Sequence, residues 1–148
     1  IKNILILYTS VYGSTKKMAE AITKGASEMG ANVKILDVNE IDPQFIRDAI
    51  EKADGIIVGS PTIVGDVPIP IWDALTLIST VKSSIKLGAA FGSYGWSGEA
   101  AKMVEERLSG LHIKLHKSSL KIKFTPDDTT IEECQVFGKE FVIALKQK

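Results

Sequence analysis

Ile4-Leu5-Ile6-Leu7-Tyr8-Thr9-Ser10-Val11-Tyr12-Gly13-Ser14-Thr15 passes from a short apolar run through a polar loop into helical sequence. A continuous apolar run of that length fits a strand covered on both faces. Met18, Ile22, Ala26 and Met29 then recur at helical spacing, and Gly30 stands where a helix end favours it. The unit repeats along the chain. Strands are expected over 33–38, 55–59 and 87–92, and helices over 43–52, 69–81 and 97–108, the last closed by Gly110. Two alternating stretches follow, 112–117 and 120–124, and the pattern does not choose which one joins the sheet. A final helix begins near Thr129, whose hydroxyl suits a capping box with Glu132. Its stripe of Cys134, Phe137, Phe141 and Leu145 faces inward.

Regular alternation of strand and helix implies a doubly wound parallel sheet in three layers, α/β/α. Strands one, three and four are uniformly apolar and belong in the centre. Lys34 and Asp37 in strand two, and Lys121 and Lys123 in strand five, belong at edges. The five-stranded order 2-1-3-4-5 satisfies both conditions, whereas a Rossmann order would bury strand two. No repeat or linker interrupts the chain, so residues 1–148 are expected to form one domain.

Eighteen basic residues balance eighteen acidic ones, which argues against nucleic acid as a partner. The single cysteine, Cys134, excludes an internal disulfide and a cysteine-cluster metal site. A reducing, cytoplasmic setting is expected, and no apolar run is long enough to span a bilayer. The chain opens at Ile1, directly in strand-like sequence, which fits either a trimmed terminus or a domain cut from a longer polypeptide. His112 and His116 are expected as a solvent-facing pair, and Cys134 as a structural thiol. Lys16 and Lys17 are expected to be solvated.

In such a sheet a ligand lies beyond the carboxyl ends of the strands where their order reverses. Three loops meet there. Ser10, Val11, Tyr12, Gly13, Ser14 and Thr15 supply hydroxyls, a glycine and a helix N-terminus, which suits a phosphate monoester. Read alone, this loop is equally an ordinary capped turn. Pro61, Thr62, Ile63 and Val64 place apolar side chains beside turn amides, as the edge of a flat heteroaromatic ring requires. Ser93, Tyr94, Gly95, Trp96, Ser97 and Gly98 set two aromatic rings among small residues. Together the loops describe a site for a mononucleotide with a planar base.

Ser10 through Thr15 resembles the phosphate loop of flavodoxins. Ser60-Pro61-Thr62, the run from Gly88 to Ala100, and the segment from Pro126 to Gly138 are similar to the flavodoxin-like C-terminal domain of flavodiiron proteins, the A-type flavoproteins. The resemblance covers essentially the whole chain. It implies a flavodoxin-like fold holding FMN, with phosphate contacts from Ser10 through Thr15. Ring contacts are implied from Pro61 through Val64 and from Ser93 through Gly98, with Trp96 near the ring. In that family the domain passes electrons to a diiron centre in a metallo-β-lactamase-like domain, where oxygen or nitric oxide is reduced. Rubredoxin or a related carrier commonly supplies the electrons. Many free-standing flavodoxins have glycine where Val64 falls, so the peptide flip that tunes their flavin is in doubt here.

A free-standing flavodoxin-type carrier and an FMN-dependent quinone reductase share these features. A receiver domain shares the strand order, but Tyr8, Thr9 and Ser60 offer no acidic pocket.

Overall fold

Strand and helix alternate throughout the computed structural model, which describes residues 1–63, 65–95, 98–116, 119–123 and 125–148. The elements are β1 (Asn3–Tyr8), α1 (Ser14–Glu28), β2 (Asn32–Asp37), α2 (Pro43–Lys52), β3 (Gly55–Pro61), α3 (Ile69–Ser79), β4 (Leu87–Tyr94), α4 (Glu99–Gly110), β5 (Leu120–Lys123) and α5 (Asp128–Lys146). All the strand pairs are parallel, in the order β2-β1-β3-β4-β5. Ile6 at the centre of β1 faces Ile35 of β2 on one side and Ile57 of β3 on the other. This is the expected doubly wound, flavodoxin-like arrangement.

Alternate residues of each strand feed two separate cores, as the pleat requires. Leu5, Leu7, Ile56, Val58 and Ala90 pack with Ile46, Ile50, Ile71, Leu75, Val104 and Leu108, which places α2, α3 and α4 on one face. Ile4, Ile6, Ile57 and Phe91 pack with Met18, Ile22, Phe137, Phe141 and Leu145, which places α1 and α5 on the other. Cys134 is buried in this second core as expected, and burial, then the Glu133 carboxylate, pushes its thiol up to about 12. On the second face the helices touch main chain to main chain. A Cβ at Gly25 would stand 1.9 Å from the Gln135 carbonyl oxygen, and one at Gly138 would stand 2.2 Å from that of Ile22. Only glycine permits this approach.

Five local expectations are corrected. The last helix is capped by Asp127 rather than Thr129: its carboxylate accepts from the Thr130 amide at 2.9 Å, and Thr130 Oγ1 accepts from the Asp127 amide at 2.7 Å. Gly110 lies inside α4, and it is His112 that takes positive φ, at 65°. Helix α4 starts at Glu99 rather than at position 97, and α3 ends at Ser79, short of Val81. His116 does not face solvent beside the exposed His112. It is half-buried, with its ring edge-to-face against Phe137 at 5.9 Å and Phe141 at 5.6 Å.

The open question about the fifth strand resolves in favour of both stretches. The Gly88 amide donates to the Lys114 carbonyl at 2.7 Å and the His116 amide to the Gly88 carbonyl at 2.8 Å, while β5 pairs with Phe91–Tyr94. Lys121 and Lys123 are exposed on that edge, as expected. Lys117 and Phe124, which bound the two predicted stretches, lie outside the described residues. Among the described residues, no helix is long and apolar enough to cross a membrane.

Candidate functional site

Strands β1, β3 and β4 end together, and a cleft of about 270 Å³ opens beyond them. The loop after β1 lines it with Ser10, Val11, Tyr12, Ser14 and Thr15. Pro61, Thr62 and Ile63 line it from the end of β3, and Ser93, Tyr94 and Gly95 from the end of β4. Gly13 and Gly98 shape the loops without lining the cleft. Val64, Trp96 and Ser97 were expected here and lie outside the described residues. Gly65, next to Val64, takes φ of 72° in a turn closed by paired Ile63 and Asp66 hydrogen bonds, both 2.9 Å.

The buried polar side chains among the described residues are Thr9, Thr15, Ser60 and Ser93, and all four stand at this end of the sheet. A buried hydroxyl is stable only with partners. Thr15 Oγ1 and Ser93 Oγ share a hydrogen bond of 2.8 Å, Ser60 Oγ donates to the Pro61 carbonyl at 2.7 Å, and Thr9 Oγ1 accepts from the Asn39 amide group. The Thr15–Ser93 pair holds two hydroxyl protons and engages one between its oxygens. The other remains to be donated.

Ser10 works similarly. Its oxygen accepts from the amides of Gly13, at 3.1 Å, and Lys16, at 3.3 Å, so its own proton is left to donate. Gly13, at φ 90°, is the N-cap of α1 and has no side chain, so Ser10 caps that helix end from outside by taking the Lys16 amide and leaves the Ser14 and Thr15 amides uncapped. Its first amides therefore point out of the helix towards the cleft loop, with the positive end of the helix dipole behind them. The described lining residues carry no formal charge, and Lys16 and Lys17 are exposed as expected. Nearby, burial first, then the carboxylates of Asp37, Glu20 and Glu40, raise the pKa of Tyr8 and keep its phenol neutral.

The rim of the cleft is apolar. Ile63, Val11 and Tyr12 remain exposed at the rim, Tyr12 almost completely, at 94%. Thr125, just beyond β5, also lines the cleft and was not anticipated. The signal for it was available, since the rule that ligands sit beyond carboxyl strand ends applies to the fifth strand as well.

A parallel sheet with a neutral, donor-rich cradle and an apolar wall at its switch point defines a mononucleotide-binding domain. The family model of flavodoxin matches residues 6–138, and the chain belongs to the flavodoxin family. It is 45% identical over 141 residues to the type A flavoprotein fprA of Rhodobacter capsulatus, an alignment covering 93% of this chain and 32% of that protein. The flavodiiron core of Flv1 from Synechocystis sp. superposes with a TM-score of 0.93 at 36% identity, over 99% of this chain and 36% of that one. Rubredoxin oxygen:oxidoreductase from Desulfovibrio gigas also superposes with a TM-score of 0.93, at 30% identity, over 98% of this chain and 36% of that one. The chain thus spans about a third of the length of these relatives, and it is homologous to their flavodoxin-like portion. Its cofactor is FMN, and the cleft fits that group: hydroxyl donors and the Ser14 and Thr15 amides of the α1 end for the phosphate, apolar side chains for the ring.

Proposed function

We propose that the chain is the FMN-holding, electron-relaying module of a flavodiiron oxygen or nitric oxide reductase. The observation that carries this reading is the convergence of the hydroxyl-lined α1 N-terminus with the apolar wall of Ile63 and Tyr94 in one cleft. Similarity to longer flavodiiron relatives extends it: the acceptor is a diiron centre in a metallo-β-lactamase-like domain, and the donor is a rubredoxin-type carrier, as the name of the Desulfovibrio gigas protein suggests. Residues 1–148 act as one domain, since every helix packs on the same sheet. The setting is the cytoplasm, consistent with a lone reduced thiol. Neither nucleic acid nor a membrane is a partner in this reading.

Bound FMN supplies one- and two-electron chemistry that amino-acid side chains lack. The hydroxyls of Ser10 and of the Thr15–Ser93 pair, with the amides of Ser14 and Thr15, hold the phosphate by directed hydrogen bonds. Each is worth about 1.5–3 kcal/mol when the acceptor is charged, more than the roughly 0.3–1 kcal/mol of the helix dipole. Pro61, Ile63 and Tyr94 would hold the ring and limit the water that reaches it. Gly13, Val64, Gly95, Trp96, Ser97 and Gly98 complete the proposed contact loops. With no formal positive charge among its described lining residues, the cleft also disfavours added negative charge on the ring.

Reconstitution of the chain with FMN, followed by reduction with reduced rubredoxin, tests the reading. Stoichiometric binding and transfer of electrons to the flavin are expected. A chain that binds no FMN, or that turns over NAD(P)H with quinones unaided, overturns it, the second result in favour of a quinone reductase.

A further inference from the structure

We infer that Thr62 and Gly98 are positioning residues that together fix the Tyr94 ring in the cleft wall and so set how tightly a flavin ring is held. The inference rests on the flavin reading of that cleft. Helix α4 begins behind Gly98, which has no side chain to cap it. The part-buried amide of Ala100 is instead capped from another segment: it donates to Thr62 Oγ1, 3.1 Å away and 38 residues distant in sequence. The Thr62 amide donates to the Ser93 carbonyl, also at 3.1 Å. Thr62 therefore grips the end of β4 and the start of α4, the two points that bracket the loop beginning with Tyr94.

The glycine at position 98 has a steric rather than a conformational reason. Its φ of −115° is open to any residue. A Cβ there would stand 3.1, 3.2 and 3.3 Å from Cδ1, Cε1 and Cγ of the Tyr94 ring. Serine, threonine, aspartate or asparagine, the usual capping residues, would each displace that ring. The helix thus gives up its own cap so that Tyr94 can lie where it does, and Thr62 supplies the cap from the end of the neighbouring strand. The Thr62 oxygen is thus engaged by the Ala100 amide while its proton stays available, and the positioning effect on a ligand is exerted through Tyr94.

The test titrates apo-protein separately with FMN and with riboflavin, followed by flavin fluorescence. Thr62→Val is expected to weaken both flavins equally, by about three- to tenfold, the worth of one ordinary hydrogen bond. Thr62→Ser should restore most of that loss, and Ser10→Ala, on the phosphate side, should weaken FMN alone. Gly98→Ala should alter the visible circular dichroism of the bound flavin. Unchanged affinity in Thr62→Val, a serine that fails to rescue, or an unchanged spectrum in Gly98→Ala overturns the inference. Should Thr62→Val not fold, the Gly98→Ala spectrum decides. A wild-type chain that binds neither flavin would instead remove the flavin reading itself.

Discussion

Thr15 Oγ1 and Ser93 Oγ meet at 2.8 Å across 78 residues of sequence, joining the first turn of α1 to the end of β4. Both side chains are buried, so neither hydroxyl can exchange this partner for water without opening the cleft. One proton of the pair remains for a ligand. Thr15→Val is therefore expected to lower FMN affinity by about 10- to 100-fold, corresponding to about 1.5–3 kcal/mol for a hydrogen bond to a charged acceptor. Riboflavin affinity should change far less. Fluorescence titration of both ligands checks this, and equal losses for the two would place Thr15 away from the phosphate.

Neutral donors also predict the response to salt. Attraction between formal charges is screened as ionic strength rises, whereas directed hydrogen bonds from amides and hydroxyls are not. FMN affinity should change by no more than about twofold between 0.05 and 0.5 M salt, because exposed Lys16 and Lys17 contribute only a screened field. A loss of tenfold or more would show that the lysines hold the phosphate.

The α1–α5 contact makes a stability prediction. A methyl group at position 138 would meet the Ile22 carbonyl oxygen at 2.2 Å, with backbone rather than a flexible side chain in the way. Gly138→Ala should cost about 1–3 kcal/mol or more, as overpacking does, and lower the urea midpoint. Because α1 carries the cleft loop at its N-terminus, FMN affinity should fall with it. A variant as stable as wild type would contradict the contact.

Cys134 gives a pH dependence with a definite sign. Its folded-state pKa is raised from 9.0 to about 12, chiefly by burial. The stability linked to this thiol is complete below pH 9 and is lost as pH rises through the folded value. Unfolding midpoints should therefore fall above pH 9 in wild type and fall less in Cys134→Ala. At neutral pH a thiol reagent should react only at the rate of global opening; rapid modification of the native protein would show that the thiol is not sealed in the core.

Sequence patterning carried the architecture because burial differs sharply between strands. The unbroken apolar runs of β1, β3 and β4 could only be central, and the lysines of β2 and β5 could only be at edges. The cleft loops followed from the topology. What escaped were matters of three-dimensional neighbourhood. Asp127 and Thr129 both stand three residues before a plausible capping partner, and spacing alone does not choose between them. His116 looked solvated because Phe137 and Phe141, the rings it packs against, come from a helix more than twenty residues away. Thr125 was passed over because it follows an edge strand. Thr62 reads as a ligand contact from its loop alone, and only the position of Ala100 reveals that its oxygen also caps a helix.

The glycine contacts between α1 and α5 bear on how the protein is made. During synthesis α5 leaves the ribosome long after α1, and the backbone contacts at Gly25 and Gly138 form only once it has. A nascent chain halted before α5 would already contain every described lining residue and still lack half of the packing that backs α1. The support beneath the cradle is thus completed by the last helix made, whose described residues do not line the cleft.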